Sequence, residues 1–483
     1  MSQHRDRSRS SAPAQVSPSR TIAYEVLRQV AESDAYANLL LPGKLAAAQL
    51  SAQDAALATE LCYGTLRLLG RYDAIIELAA RRPLTEINPK VLDALRLGAH
   101  QLLGMRIASH AAVHESVELV RQHANPAAVG FANGVLRTIG RTPLEGWLER
   151  LEELLNGDDY LAVTSGHPAW IVRAFRTALA AEGRDDELEA LLNADNDAPT
   201  VDLVALPSFA SAEEIAAEYA PEVNLSPYAR TALDLVRGDP HEFPEAREGV
   251  LRVQDEGSQL VALALASFDR GTDEAAESER WLDLCAGPGG KAALLASLAR
   301  EAGAEFHANE VAPHRARLVA QALAPIVDDI ENRVHCGDGR ELARALPGPW
   351  HRILVDAPCT GLGALRRRPE ARWRKQARDV AELVAIQEAL LEAAVRALKP
   401  GGVAAYVTCS PHLAETTAVV QRVARLTGAH VLDSCGALRD VCQSEIDLVP
   451  REVADGNVVQ LWPHRHGTDG MFLALLQRPR LEA

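Results

Sequence analysis

A chain of 483 residues, 47% hydrophobic and 24% charged, is too long for one ordinary core and predicts two or three domains. A net charge of -16 argues against a generic sticky nucleic-acid binder, so any RNA contact must come from local basic patches. Seven scattered cysteines with no CxxC pair support neither a zinc site nor a disulfide framework, and no run of 18 apolar residues marks a membrane span. A reduced, cytoplasmic setting is the expectation.

Residues 1–20 are Ser-, Arg- and Pro-rich without an apolar core, and predict a disordered tail rather than a signal peptide. Residues 21–142 read as helix throughout. Ile22, Val26, Leu27 and Val30 share one helix face, further helical patterns follow, and Pro83 and Pro89 bracket a short linker. This segment predicts an all-α bundle. Residues 143–249 are mixed. LEGWLERLEELL is amphipathic, SGHPAWIVRAFRTAL predicts a proline-started helix, TVDLVALP is strand-like, and SAEEIAAEYA has a Ser N-cap with Glu three residues on. A small α/β connector domain is expected here.

From residue 250 to 483 strands alternate with helices, which implies a parallel sheet with helices on both faces, an α/β Rossmann-like domain. Three stretches of it bear on chemistry. First, Asp283, Leu284 and Cys285, Ala286, Gly287, Pro288, Gly289, Gly290, Lys291 lie between a strand and a helix. This is neither GxGxxG nor a GxxxxGK[ST] phosphate loop, which disfavours a hydride cofactor or ATP. Glu310 ends the next strand, where a carboxylate can accept ribose hydroxyls, and Asp338 ends the third, within reach of an adenine edge. Acidic residues at successive strand ends make S-adenosyl-L-methionine the leading cofactor. Second, RILVDAPCTGLG is a buried strand ending in Asp356 and Cys359, with a glycine loop that lets backbone approach a ligand. Third, VTCS ends the next strand with Cys409, which a right-handed crossover brings beside Cys359.

Two thiols at neighbouring strand ends suggest one thiolate nucleophile and one helper. A thiol suits pyrimidine chemistry. C5 is a poor nucleophile until a thiolate adds at C6 and makes it enamine-like; loss of the C5 proton later expels the thiol. Arg366, Arg367, Arg368 and Arg372, with Trp373 among them, follow the glycine loop directly and are the expected RNA contacts, through phosphates and base stacking. His464, Arg465 and His466 are weaker candidates. No metal site is expected.

VQDEGSQ (253–259), DLCAGPGGK, DAPCTGLGALRRRPEARW (356–373), VTCS (407–410) and TDGMF (468–472) together resemble the Sun/Fmu (RsmB-like) RNA cytosine-C5 methyltransferases of small-subunit ribosomal RNA. The helical N-terminal segment resembles the NusB-like RNA-binding domain fused in that family. The resemblance implies that Cys409 attacks C6, that Cys359 assists product release, and that the cofactor lies on residues 285–291, Glu310, Asp338 and Asp356. It implies that Asp356 also reaches the cytosine edge. It further implies a class I methyltransferase domain and a ribosomal RNA partner; a monomer is expected. The loop here is CAGPGGKA where the family has CAAPGGKT. After VTCS only Glu415 remains of a customary Glu-Glu-Asn-Glu, so that cluster is assigned no role. A transfer RNA substrate, a non-catalytic assembly factor with a vestigial methyltransferase fold, and a DNA cytosine methyltransferase are the alternatives. The second is disfavoured by both cysteines being present, and the third by the VTCS cysteine and the helical segment.

Overall fold

The computed structural model describes residues 16–33, 35–271, 278–341, 348 and 350–480. It divides into two compact units. One runs to Val172 and adds Arg366–Arg374; the other comprises Arg173–Leu365 and the chain from Lys375 onward.

The first unit is all-helical: α1 (Pro18–Glu32), α2 (Ala37–Ala48), α3 (Ala52–Arg67), α4 (Leu69–Ala80), α5 (Pro89–Leu103), α6 (Ser109–His123), α7 (Val129–Arg141), α8 (Leu144–Glu152), α9 (Gly157–Ser165) and the start of α10 (Ala169–Ala180). Pro18 opens α1 at its first turn, where its missing N–H costs nothing, so the chain is already helical three residues before the expected start of the bundle at 21. Residues 1–15 of that tail lie outside the described residues. Asn88 caps α5 by accepting from Lys90 N–H, with Pro89 next to it. One core joins the bundle, from Val26 and Leu61 through Tyr72, Leu95 and Leu136 to Trp147 and Leu151. The last two sit on α8, which therefore belongs with the bundle rather than with a connector beginning at 143. A face of apolar side chains goes wherever it can be buried, and here the bundle core takes it; Trp147 Nε1 also donates to Ile139 O of α7 at 3.2 Å.

The second unit holds two sheets. The smaller is antiparallel, in the order β2 (Val223–Leu225), β3 (Ala232–Leu235), β1 (Val201–Ala205), β4 (Leu251–Val253), with α11 (Leu188–Ala194) before it and α12 (Ala212–Glu218) against it. Ser211 caps α12, accepting from Glu214 N–H. Since β4 lies beyond residue 249 and pairs with β1, the expected boundary cuts through this sheet. Val204 and Leu206 also share a core with α13 (Glu256–Ser267) of the larger sheet, so the connector has no separate interior.

The larger sheet contains β5 (Arg280–Asp283), β6 (Glu305–Asn309), β7 (Val334–His335), β8 (Trp350–Asp356), β9 (Leu398–Thr408), β10 (His430–Val431), β11 (Arg451–Val453), β12 (Gly456–Gln460) and β13 (Phe472–Gln477). Its order is β11-β12-β13-β9-β8-β5-β6-β7, with β10 on β13. The β5 to β9 strands pair in parallel, but β13 runs antiparallel to β9 and β12 antiparallel to β13. The sheet is thus mixed rather than uniformly parallel. Residues 461–471 return the chain without a long crossover helix, and parallel pairing needs one. The crossover helices α14 (Gly290–Glu301), α15 (Pro313–Leu323) and α16 (Asp379–Ala397) set the carboxyl ends of β5, β6, β8 and β9 at one edge, the place where open α/β sheets bind ligands. α17 (Thr417–Thr427) follows β9.

Candidate active site

At the end of β5, Asp283 is wholly buried. Its Oδ1 accepts the Cys285 N–H at 3.2 Å, while Oδ2 has no hydrogen-bond partner. Burial, reinforced by neighbouring Asp356, lifts its carboxyl to about 8. The loop beyond is tightly constrained. Glu310, 2% exposed, accepts from Gly287 N–H at 3.0 Å and Ala312 N–H at 2.9 Å, and Arg315 donates to Gly287 O. A Cβ at residue 287 would lie 2.3 Å from Glu310 Oε2. Gly289 has φ +118°, and a Cβ there would meet Ala322 Cβ at 2.6 Å, so only glycine fits on both counts. No side chain caps α14, so its first-turn N–H groups face the loop.

An open buried carboxyl oxygen, a backbone cradle, an uncapped helix start and a carboxylate with lone pairs to spare form a set of polar groups suited to a ligand with cationic and hydroxyl groups. S-adenosyl-L-methionine has both. Asp338 follows β7, but its carboxylate is taken up by Arg340, whose backbone N–H also donates to it at 2.9 Å.

Lys291, on the first turn of α14, reaches across to β8, with Nζ 3.0 Å from Asp356 Oδ2. Burial works against its charge, but Asp356 and Cys409 outweigh that and raise it. The two expected thiols do meet: Cys359 Sγ and Cys409 Sγ are 3.4 Å apart. The hydrogen bond shared with Cys359 lowers Cys409 from the ordinary thiol value against burial and the charge of Asp356, and Lys291 acts in the same direction as the bond. The same bond, burial and the charges of Cys409 and Glu415 push Cys359 up. The two sulfurs thus share one hydrogen bond and titrate as a pair, with Lys291 the cation near Cys409 and Glu415 the anion near Cys359.

Three further connections hold this pair, and none was assigned a role from sequence. Gly363 N–H donates to Cys409 O at 2.9 Å, and Gly470 N–H to Gly363 O at 2.7 Å; a Cβ at residue 363 would lie 2.2 Å from Gly470 O. Asp469 N–H donates to Asp255 Oδ1 at 2.8 Å, tying TDGMF to VQDEGSQ. Glu415, wholly buried, bridges the loops that follow the two cysteines.

The basic stretch behaves differently from expectation. Residues 366–374 pack within the helical unit. Arg372 is wholly buried and donates to Arg67 O at 2.7 Å and Gly166 O at 3.3 Å, the carbonyls ending α3 and following α9. Arg374 donates to Val30 O at 3.1 Å and to Ala35 O, just past α1. Helix C-termini present unpaired carbonyls and the negative end of the dipole, so guanidinium groups satisfy them well. Glu370 accepts from Ala37 N–H at 2.9 Å, Arg368 and Arg374 lie over the Tyr36 ring, and Trp373, 39% exposed, rests on Gly70. Arg366 is buried too. Arg366 and Arg372 are thus not RNA contacts; Arg367, Arg368 and Trp373 retain some exposure. A run of arginines reads alike whether water or carbonyls await it. His464 and Arg465 are likewise buried against Glu187, with Arg465 also near Glu182.

The profile of the 16S rRNA methyltransferase RsmB/F family matches residues 273–477, and that of the NusB family residues 17–141. The protein named Putative methyltransferase Rv1407 of Mycobacterium tuberculosis is 47% identical over 98% of this chain and 99% of its own. Ribosomal RNA small subunit methyltransferase B of Erwinia tasmaniensis is 32% identical over 81% of this chain and 86% of its own. Among solved structures, the crystal structure of PH0851 superposes with a TM-score of 0.74 at 21% identity, covering 96% of this chain and all of that one, a likeness of fold. Among the described residues no helix is long and apolar enough to cross a membrane, and no group of three His, Cys, Asp or Glu could hold a metal. With its cofactor cradle, its paired cysteines and relatives matched along nearly its whole length, the chain belongs to the RsmB/F family of S-adenosyl-L-methionine-dependent methyltransferases, with a NusB-family domain ahead of the catalytic one.

Proposed function

We propose that this protein transfers a methyl group to C5 of a cytosine in small-subunit ribosomal RNA through a covalent bond between Cys409 and C6. The observation that carries this reading is the thiol pair 3.4 Å apart, with the Lys291–Asp356 pair joining it to the cofactor loop. When bound, S-adenosyl-L-methionine supplies an electrophilic methyl group at a sulfonium. Residues 285–291 and Glu310 would hold it, with Asp338 at the adenosine end.

The target cytosine must leave its stack to enter the site. Asp356, with Oδ2 held by Lys291, keeps Oδ1 to accept the exocyclic amine. Cys409 forms the S–C6 bond as a thiolate, and the electron pair released to C5 makes that carbon nucleophilic. After C5 has taken the methyl group its proton passes to water, the C5–H electron pair re-forms the C5–C6 double bond, and the S–C6 bond breaks with its pair returning to Cys409. Cys359, a thiol within hydrogen-bond distance, supports the departing Cys409 thiolate. This is a cytoplasmic, monomeric enzyme that needs no metal. The test is transfer from tritiated cofactor to unmethylated small-subunit RNA, free or partly assembled. Label recovered as 5-methylcytosine supports the reading. Incorporation only into transfer RNA would keep the chemistry and change the substrate. No incorporation into any RNA would leave a non-catalytic assembly factor.

A further inference from the structure

Glu415 takes no part in the steps above, yet it is one of the most fully bonded side chains in the catalytic unit. It lies six residues past Cys409 and is wholly buried. Oε1 accepts from Thr360 N–H at 2.8 Å and Gln387 Nε2 at 3.1 Å; Oε2 accepts from Ser410 Oγ at 2.7 Å and from Thr360 Oγ1. Two amide donors and two hydroxyls converge on its two oxygens. All of these partners are neutral groups.

The residues it grips are chosen by position. Thr360 follows Cys359 and Ser410 follows Cys409, while Gln387 also donates to Pro358 O at 2.9 Å, on the other side of Cys359. The Tyr406 hydroxyl on β9 donates to Glu415 O at 2.7 Å. One carboxylate thus joins the two loops whose separation sets the Sγ–Sγ distance.

We propose that Glu415 is a positioning residue that decides which thiol of the pair carries the negative charge: it clamps the two loops at bonding distance and holds Cys359 as the protonated partner. The inference rests on the proposed role of Cys409 as nucleophile. The charged and titratable groups around the pair divide accordingly. Cys409 faces Lys291 of α14, Asp356 of β8 and Asp469 before β13; Cys359 faces Glu415, with Tyr406 of β9 beside both. His412 lies near Glu415, and Glu388 of α16 near Tyr406. Lys291, paired with Asp356, stands with Cys409, and Glu415 stands with Cys359. An attacking thiolate needs that asymmetry, because two thiols sharing one proton equally would leave half the molecules with the charge on the wrong sulfur.

The test is the pH dependence of modification of each cysteine by a small alkylating reagent, read peptide by peptide by mass spectrometry without RNA or cofactor. It uses the wild type, Glu415→Gln and Glu415→Asp, each checked for folding by circular dichroism. In the wild type Cys409 reacts at lower pH than Cys359. In Glu415→Gln the Cys359 profile moves down by about one pH unit, tenfold in reactivity at fixed pH, and kcat falls at least tenfold with KM for the cofactor unchanged. In Glu415→Asp, which keeps the charge, the Cys359 profile stays high while kcat falls. A Cys359 profile unmoved in folded Glu415→Gln overturns the proposal; should that variant not fold, a Cys359 profile in Glu415→Asp lowered to that of Cys409 does so instead. The two readings fail separately. A wild type that methylates no RNA but shows the thiol shift would refute the function alone, and methylation with unmoved thiol profiles would refute the positioning role alone.

Discussion

Asp283→Asn probes the electrostatics of the cofactor loop most directly. Asp283 is wholly buried with Oδ2 unpartnered, and burial with Asp356 lifts its carboxyl from 3.8 to about 8. The unfolded chain releases this proton near pH 4 and the folded chain retains it to near pH 8. The stabilisation carried by the protonated form is therefore full below pH 4 and is lost as pH rises to 8. Each pH unit in that window is worth about 1.4 kcal/mol, so by pH 7 the ligand-free wild type has lost about 4 kcal/mol relative to a side chain that never ionises. Asparagine imitates the neutral acid in size and cannot titrate. Urea unfolding of both proteins from pH 4 to 9, without cofactor, should show the gap in stability moving in favour of Asp283→Asn by about 4 kcal/mol between pH 4 and 7. It should level off above pH 8. Any cost of burying the extra amide is constant with pH, so the slope rather than the offset carries the result. A gap that stays flat across this range would mean that Asp283 is ionised in the native state, and would refute the reasoning.

The remaining expectations concern chemistry and architecture. Cys409→Ala should abolish methyl incorporation while leaving the melting temperature and cofactor affinity near wild type, measured by tritium transfer and calorimetry. Cys359→Ala should permit attack but slow release, so an RNA-linked protein band should accumulate on denaturing gels; its absence, with an adduct in Cys409→Ala instead, would reverse the two roles. Glu310→Ala should weaken cofactor binding at least tenfold, and unchanged affinity by calorimetry would remove it from the site. Arg372→Met should destabilise the helical unit by about 3 kcal/mol, since two buried carbonyls lose a charged donor; a loss of RNA affinity without a lower melting temperature would restore it as an RNA contact.

The chemistry-bearing loops were legible because they obey local rules. DLCAGPGGK needs glycines at 287 and 289 for reasons of backbone and Cβ space, and the thiols at 359 and 409 follow buried strands of unmistakable pattern. Repeated strand–helix alternation was enough to place both cysteines at one sheet edge, and the structure sets them 3.4 Å apart. Sequence alone thus determined the Rossmann-like class, the helical first unit and the thiol pair, because hydrophobic periodicity and glycine sterics act over a few residues. Tertiary structure decided the rest. Where α8 docks, the antiparallel return of β13, the capping of helix ends by Arg372 and Arg374, and the clamp at Glu415 all depend on partners tens to hundreds of residues away. A buried arginine and a solvated one have the same letter, and so do an idle glutamate and one that accepts four hydrogen bonds. Only the fold brings up the carbonyls or donors that separate them.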